Sequence, residues 1–158
     1  MRKMIYFPCK LVSGEENTIG SKYECEVKPG TKYNFYVLSI ESNGTTNLIM
    51  DRNICSDGTA ATEDNKCLVA WVSKLDYNDD DNYGENGNNN KGPITAMDYL
   101  YNATKSWTNT KEMTIDKFDN DAGSKFDMQA YNTYARLPYL SEVSDFDGTN
   151  RYLYDYFK

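Results

Sequence analysis

The sequence predicts an α+β fold in which a small antiparallel sheet carries a packed amphipathic helix. Three observations lead there. An alternating stretch from Lys32 to Ile40 is followed by Asn43-Gly44 and by a second stretch, Thr46 to Asp51, that reads as its hairpin partner. Apolar residues then recur every three or four positions from Ile94 to Trp107, behind Gly92-Pro93. Four cysteines fall into two local pairs, Cys9 with Cys25 and Cys55 with Cys67, around turn-rich polar segments.

A chain of 158 residues reads as a single domain, 1–158, long enough to bury roughly two-thirds of its unfolded surface. Only 39% of the residues are hydrophobic, so the 14 Tyr and 6 Phe are expected to fill part of the space usually given to Leu. The absence of His removes the usual general base, the imidazole metal ligand and every Ser-His or Cys-His nucleophile pair, so no enzyme activity is expected. A net charge of -7, with 17 scattered basic residues, argues against a nucleic-acid partner. No apolar run approaches the roughly 20 residues that span a bilayer, so membrane insertion is not expected. Met1 to Lys10 has basic residues but no apolar h-region, and no export signal is read there.

The elements follow in order. Residues 1–30 read as an irregular lead-in, with turns at Gly14, Gly20, Pro29 and Gly30 around a short segment from Ser21 to Val27. In the next stretch Tyr33, Phe35, Val37 and Ser39 alternate against Asn34, Tyr36, Leu38 and Ile40, which describes a strand with both faces partly covered. Cys55 and Cys67 enclose a polar loop. Without a Cys-x-x-Cys a metal site is disfavoured, and local pairing around turn-rich loops predicts two disulfides over free buried thiols, in tension with the missing export signal. Leu68 to Val72 is a short apolar strand candidate, and 76–91 is a flexible polar loop. Pro93 starts the helix, whose stripe is Ile94, Met97, Leu100, Tyr101, Thr104 and Trp107. Residues 108–124 alternate polar turns with Met113, Ile115 and Phe118, and Phe126 to Arg136 reads as a further strand. Pro138 opens a short helix with Leu140 and Val143 inward, and Arg151 to Phe157 forms a last Tyr-rich helical turn or two.

Four groups of residues stand out as candidate sites, one of them structural. Asp76, Asn78, Asp80 and Asn82 put oxygen ligands at alternate positions, as calcium prefers, although Asp81 and Gly87 stand where an EF-hand needs Gly and Glu. Weak calcium is the one cofactor considered, against a solvated loop. Tyr131, Tyr134, Tyr139, Tyr152 and Tyr154, with Tyr156, offer a platform for a carbohydrate or protein, or else close the core and its rim. Arg136 with Glu142 reads as a structural charge-assisted bond. Asn43-Gly44-Thr45 and Asn102-Ala103-Thr104 match the glycosylation acceptor pattern.

Six stretches carry a family resemblance in chain order: 19–25, 35–38, 48–54, 92–100, Ala135-Arg136-Leu137-Pro138 and Leu153-Tyr154-Asp155-Tyr156. Together they resemble a module of surface-exposed and pilin-like proteins of Gram-positive bacteria (Bacillota), of the C-type-lectin-like and formylglycine-generating-enzyme-like fold. The resemblance implies a lectin-like core with Arg136 and an acid, Glu142 or Asp51, at its structural heart. It implies a non-enzymatic extracellular or cell-surface module that binds or displays, with a glycan, host protein or neighbouring subunit as ligand. A structural spacer or pilin-like subunit is the alternative. An oxidase of the formylglycine-generating type is disfavoured, since it needs a late cysteine pair and no Cys follows Cys67. Similar modules run on past the last Tyr-rich helix, so the fold is expected to be shortened at Lys158, and Met1 to Phe7 is at most a remnant of a pilin-like apolar helix.

Overall fold

A four-stranded antiparallel sheet in sequential order is the main element of the computed structural model, which describes residues 8–71, 73, 93–115 and 131–138. Its strands are β1 (Cys9–Ser13), β2 (Lys22–Lys28), β3 (Thr31–Ile40) and β4 (Thr46–Met50). The helix α1 spans Ile94–Thr104, and a two-stranded pair joins β5 (Met113–Ile115) to β6 (Tyr131–Thr133). The α+β class therefore holds. The chain forms two compact units, one of Met1–Arg52, Trp107–Thr110 and Ser141–Lys158, the other of Asn53–Ser106 and Lys111–Leu140.

In the first unit the expected irregular lead-in is, from residue 9 onward, mostly strand. In β2, Cys25 and Val27 are buried while Glu24 and Glu26 are half-buried, which is the alternation of a one-sided strand. The edge strand β1 has no such pattern because most of it is exposed; it is held by register, with Cys9 opposite Cys25. Pro29 and Gly30 then close the β2–β3 hairpin, with Lys28 opposite Thr31 and Gly30 at φ +77°, as a type II turn requires.

Two bulges shape the core of this unit. Between Glu26 and Lys28 the register slips, so Val27 has no residue opposite it. The main chain freed there is claimed by Asn109, whose N–H donates to Val27 O (3.0 Å) and whose Nδ2 donates to Glu26 O (2.8 Å). The second slip, between Val37 and Ser39, makes Leu38 the extra residue of β3. Val37 and Leu38 are consequently both buried, although strict alternation would put them on opposite faces. Trp107 completes the core, buried edge-on to Phe35 (6.3 Å) and tilted on Tyr33 (6.0 Å). A side chain so placed is worth about 3–5 kcal/mol over Ala. The helical stripe was expected to include Trp107, but α1 ends at Thr104, where the N–H of Lys105 caps on Tyr101 O (2.8 Å).

In the second unit the buried positions of α1 are Ala96, Ala103 and Thr104, with Pro93 before them, while Ile94, Met97, Leu100 and Tyr101 are half-buried. Small side chains mark close approach. A Cβ on Gly58 would stand 3.0 Å from Ala103 O, so the loop before the helix lies against its last turn. Pro93 occupies the cap position, one residue before the helix proper.

That loop repeats a device from the first unit. Glu41-Ser42-Asn43-Gly44-Thr45 and Cys55-Ser56-Asp57-Gly58-Thr59 share Ser-Asx-Gly-Thr, and they fold alike. In each the first N–H donates to the last carbonyl (2.8 and 2.7 Å) and the Gly N–H donates to the first carbonyl (2.9 and 2.8 Å). The Thr N–H donates to the Asx Oδ1 (2.7 and 2.9 Å), and the Gly lies at φ +84° or +80°. The first copy closes the β3–β4 hairpin, and the second closes the bridge between Ile54 and Ala60.

Candidate binding surface

Both cysteine pairs are disulfides, Cys9–Cys25 across β1 and β2, and Cys55–Cys67 around the polar loop. Each compact unit holds one. Disulfides persist in oxidising compartments, which accords with an extracellular setting.

Downstream of Cys67 the expected apolar strand, Leu68 to Val72, does not form over its described residues, 68–71. Residues 68–71 pair with no strand and are exposed, Leu68 at 81% and Trp71 at 61%, with Val69 and Ala70 between them. Their main chain is nonetheless held at its far end. The N–H of Ala96 donates to Trp71 O (3.4 Å) and that of Ser73 to Thr95 Oγ1 (2.6 Å), fixing the segment to the first turn of α1. The run is therefore an apolar strip tethered by a disulfide before it and by the helix start after it. An apolar run with polar sequence on both sides and no turn-linked partner strand is the signal that distinguishes such a strip from a sheet element.

Of the Tyr platform, Tyr134 is half-buried and stacks on Tyr101 of α1 (6.5 Å, 26° between planes). Tyr131 lies in β6 opposite Ile115. Tyr139, Tyr152, Tyr154 and Tyr156 lie outside the described residues, so the platform is seen only at Tyr134 and at the backbone of Tyr131. Among the described residues the fully buried hydrophobic side chains are Val, Leu, Ile, Phe, Trp, Ala and Cys, while Tyr23, Tyr33, Tyr36, Tyr99, Tyr101 and Tyr134 are half-buried. The calcium candidates Asp76, Asn78, Asp80 and Asn82 also lie outside the described residues. Among the residues described, no group of three or more His, Cys, Asp or Glu could hold a metal.

Arg136 is half-buried, and its Nη1 donates to Leu137 O at 3.0 Å. Glu142 lies outside the described residues. Asp51, the other acid considered for it, forms an ion pair with Lys22 at 3.1 Å in the first unit, both side chains largely covered. The Lys22 ammonium also lies 5.3 Å from the Tyr36 ring centroid. The hydrogen bond to Asp51 is the largest influence raising the Lys22 pKa above its ordinary 10.5. In the second loop the hydroxyl of Thr59 donates to Asp57 (2.7 Å), as does its N–H, and together they hold that carboxyl below its ordinary 3.8.

No family model, curated protein or solved structure matches the chain. Among the described residues, no helix is long and apolar enough to cross a membrane.

Proposed function

We propose that this chain is a non-enzymatic binding and display module of the extracellular space or cell surface, and that a protein partner docks on the strip from Leu68 to Trp71. The strip carries the reading. An exposed Leu, Val and Trp in sequence cost solubility and contribute nothing to the core, whereas an ordered Trp supplies much of the energy of a protein interface. Its tethering at both ends lowers the entropy that a partner must overcome on binding. Two disulfides support the extracellular setting. The lectin-like core belongs to the same proposal, supported by the small antiparallel sheet, the helix α1 and the Ala135-to-Pro138 segment just after β6. A glycan ligand at the Tyr rim is the second reading, favoured by the Tyr101–Tyr134 stack.

The test is a protein and glycan array probed with the oxidised wild-type chain and with Trp71→Ser. An exposed Trp can be removed with a stability change below about 0.5 kcal/mol, so the variant should melt like the wild type. Protein spots bound by the wild type and lost in Trp71→Ser are expected. Binding unaffected by the substitution would remove the strip as the docking surface, and glycan spots alone would favour the Tyr rim.

A further inference from the structure

Two Asn-x-Thr acceptor patterns stand in the sequence, and the fold treats them oppositely. Asn43, Gly44 and Thr45 are all exposed at the tip of the β3–β4 hairpin. Asn43 Oδ1 accepts the N–H of Thr45 at 2.7 Å, so the carboxamide and the Thr two residues on already lie together in a turn. Its Nδ2 donates at 3.3 Å only to the exposed carboxylate of Glu41, which a competing partner can replace. Asn102 sits instead in the last turns of α1. Its Nδ2 donates back to Asp98 O (3.0 Å) and its Oδ1 accepts from Lys105 Nζ (3.0 Å). Thr104, which an acceptor site must present, is fully buried, with its hydroxyl donating to Leu100 O at 2.6 Å.

From this contrast we infer that Asn43 is an N-glycan acceptor site of the folded chain and that Asn102 is not. The amide nitrogen is a poor nucleophile because its lone pair is delocalised into the carbonyl. A transferase must therefore grip and twist the carboxamide while reading the Thr hydroxyl, which requires an exposed turn and excludes a helix. The co-reactant is an oligosaccharide linked through a diphosphate to a lipid. Asn43 Nδ2 bonds to the anomeric carbon, the bond from that carbon to the diphosphate oxygen breaks, the lipid diphosphate leaves with the electron pair, and one Nδ2 proton passes to a base of the transferase. The oxidising setting indicated by the disulfides is where such modification is done. The second copy of the loop has Asp57 in the place of Asn43 and offers no amide, so it serves as an internal control.

The experiment incubates the purified, oxidised chain with a lipid-diphosphate oligosaccharide and an oligosaccharyltransferase that accepts folded substrates. A reduced and alkylated sample runs in parallel, and intact mass with peptide mapping reads the product. One glycan on Asn43 and none on Asn102 is expected in the folded chain, with both sites modified once the chain is unfolded. Asn43→Gln should abolish the folded-state product. Thr45→Ala should do the same while keeping the Asn43 turn, since the Thr main-chain N–H remains. A folded chain with no glycan on Asn43, or with Asn102 modified as readily, would overturn the inference.

Discussion

At the scale of single residues, Lys22 shows how a charge is held in this sheet. Its ammonium meets the Asp51 carboxylate and the face of Tyr36, and the raised pKa says that the folded state favours the protonated form. A raised lysine contributes its full stabilisation below 10.5 and loses it as the pH climbs through the higher folded value. A double-mutant cycle of Lys22→Met and Asp51→Asn is therefore expected to give a coupling of about 0.5–1 kcal/mol near neutral pH. The coupling should fade in alkaline melts above the ordinary lysine value. No coupling at pH 7, or one that grows in alkali, would show that the pair contributes nothing to folding. Trp107 makes the opposite case among buried residues: its ring fills the core of the first unit, yet its Nε1–H finds no hydrogen-bond partner among the described residues. Shape is kept there at the expense of a polar atom.

At the scale of elements, the twin Ser-Asx-Gly-Thr loops permit a matched comparison. Gly44 and Gly58 have nearly the same positive φ, so replacing either with Ala carries the same conformational cost, about 1 kcal/mol. A Cβ on Gly44 enters open space, whereas one on Gly58 meets Ala103 O at 3.0 Å. Gly58→Ala should therefore destabilise more than Gly44→Ala in denaturant melts, and equal losses would mean that the helix end yields freely. The Asn43-Gly44 hairpin was legible in the sequence because a turn signal and an alternating strand coincide there. The helix was legible for a similar reason, since a proline start and a three-to-four repeat agree over 94–104. Other elements were not. The edge strand β1 has no buried face to impose alternation, and the bulges at Val27 and Leu38 break the period that would reveal the core. Leu68 to Val72 misled because hydrophobicity alone does not say whether a partner exists; its residues 68–71 now make the candidate docking strip.

Taken as a whole, the molecule is two small units, each closed by its own disulfide. A unit of that size buries too little surface to be secure without a staple. Replacing Cys55 and Cys67 with Ala should cost about 2–4 kcal/mol, given their sequence separation of 12. Thermal melts with and without reductant would measure it, and alkylation of four thiols in protein never exposed to reductant would refute both bridges. The site was less legible than the fold at this scale, because a binding surface leaves no repeating pattern and depends on which apolar residues the fold leaves uncovered. The Cys9–Cys25 bridge also bears on mechanical load. It ties the first residue of an edge strand to the middle of its neighbour. Tension applied from the N-terminal side cannot peel β1 away hydrogen bond by hydrogen bond, because the pull passes through the sulfurs to Cys25. The stretch from Cys9 to Cys25, a sequence separation of 16, is thereby shielded. An intact bridge would withhold roughly 50–60 Å of extension that a reduced chain would release. A chain held under tension would then resist from the interior of its sheet and not from its edge.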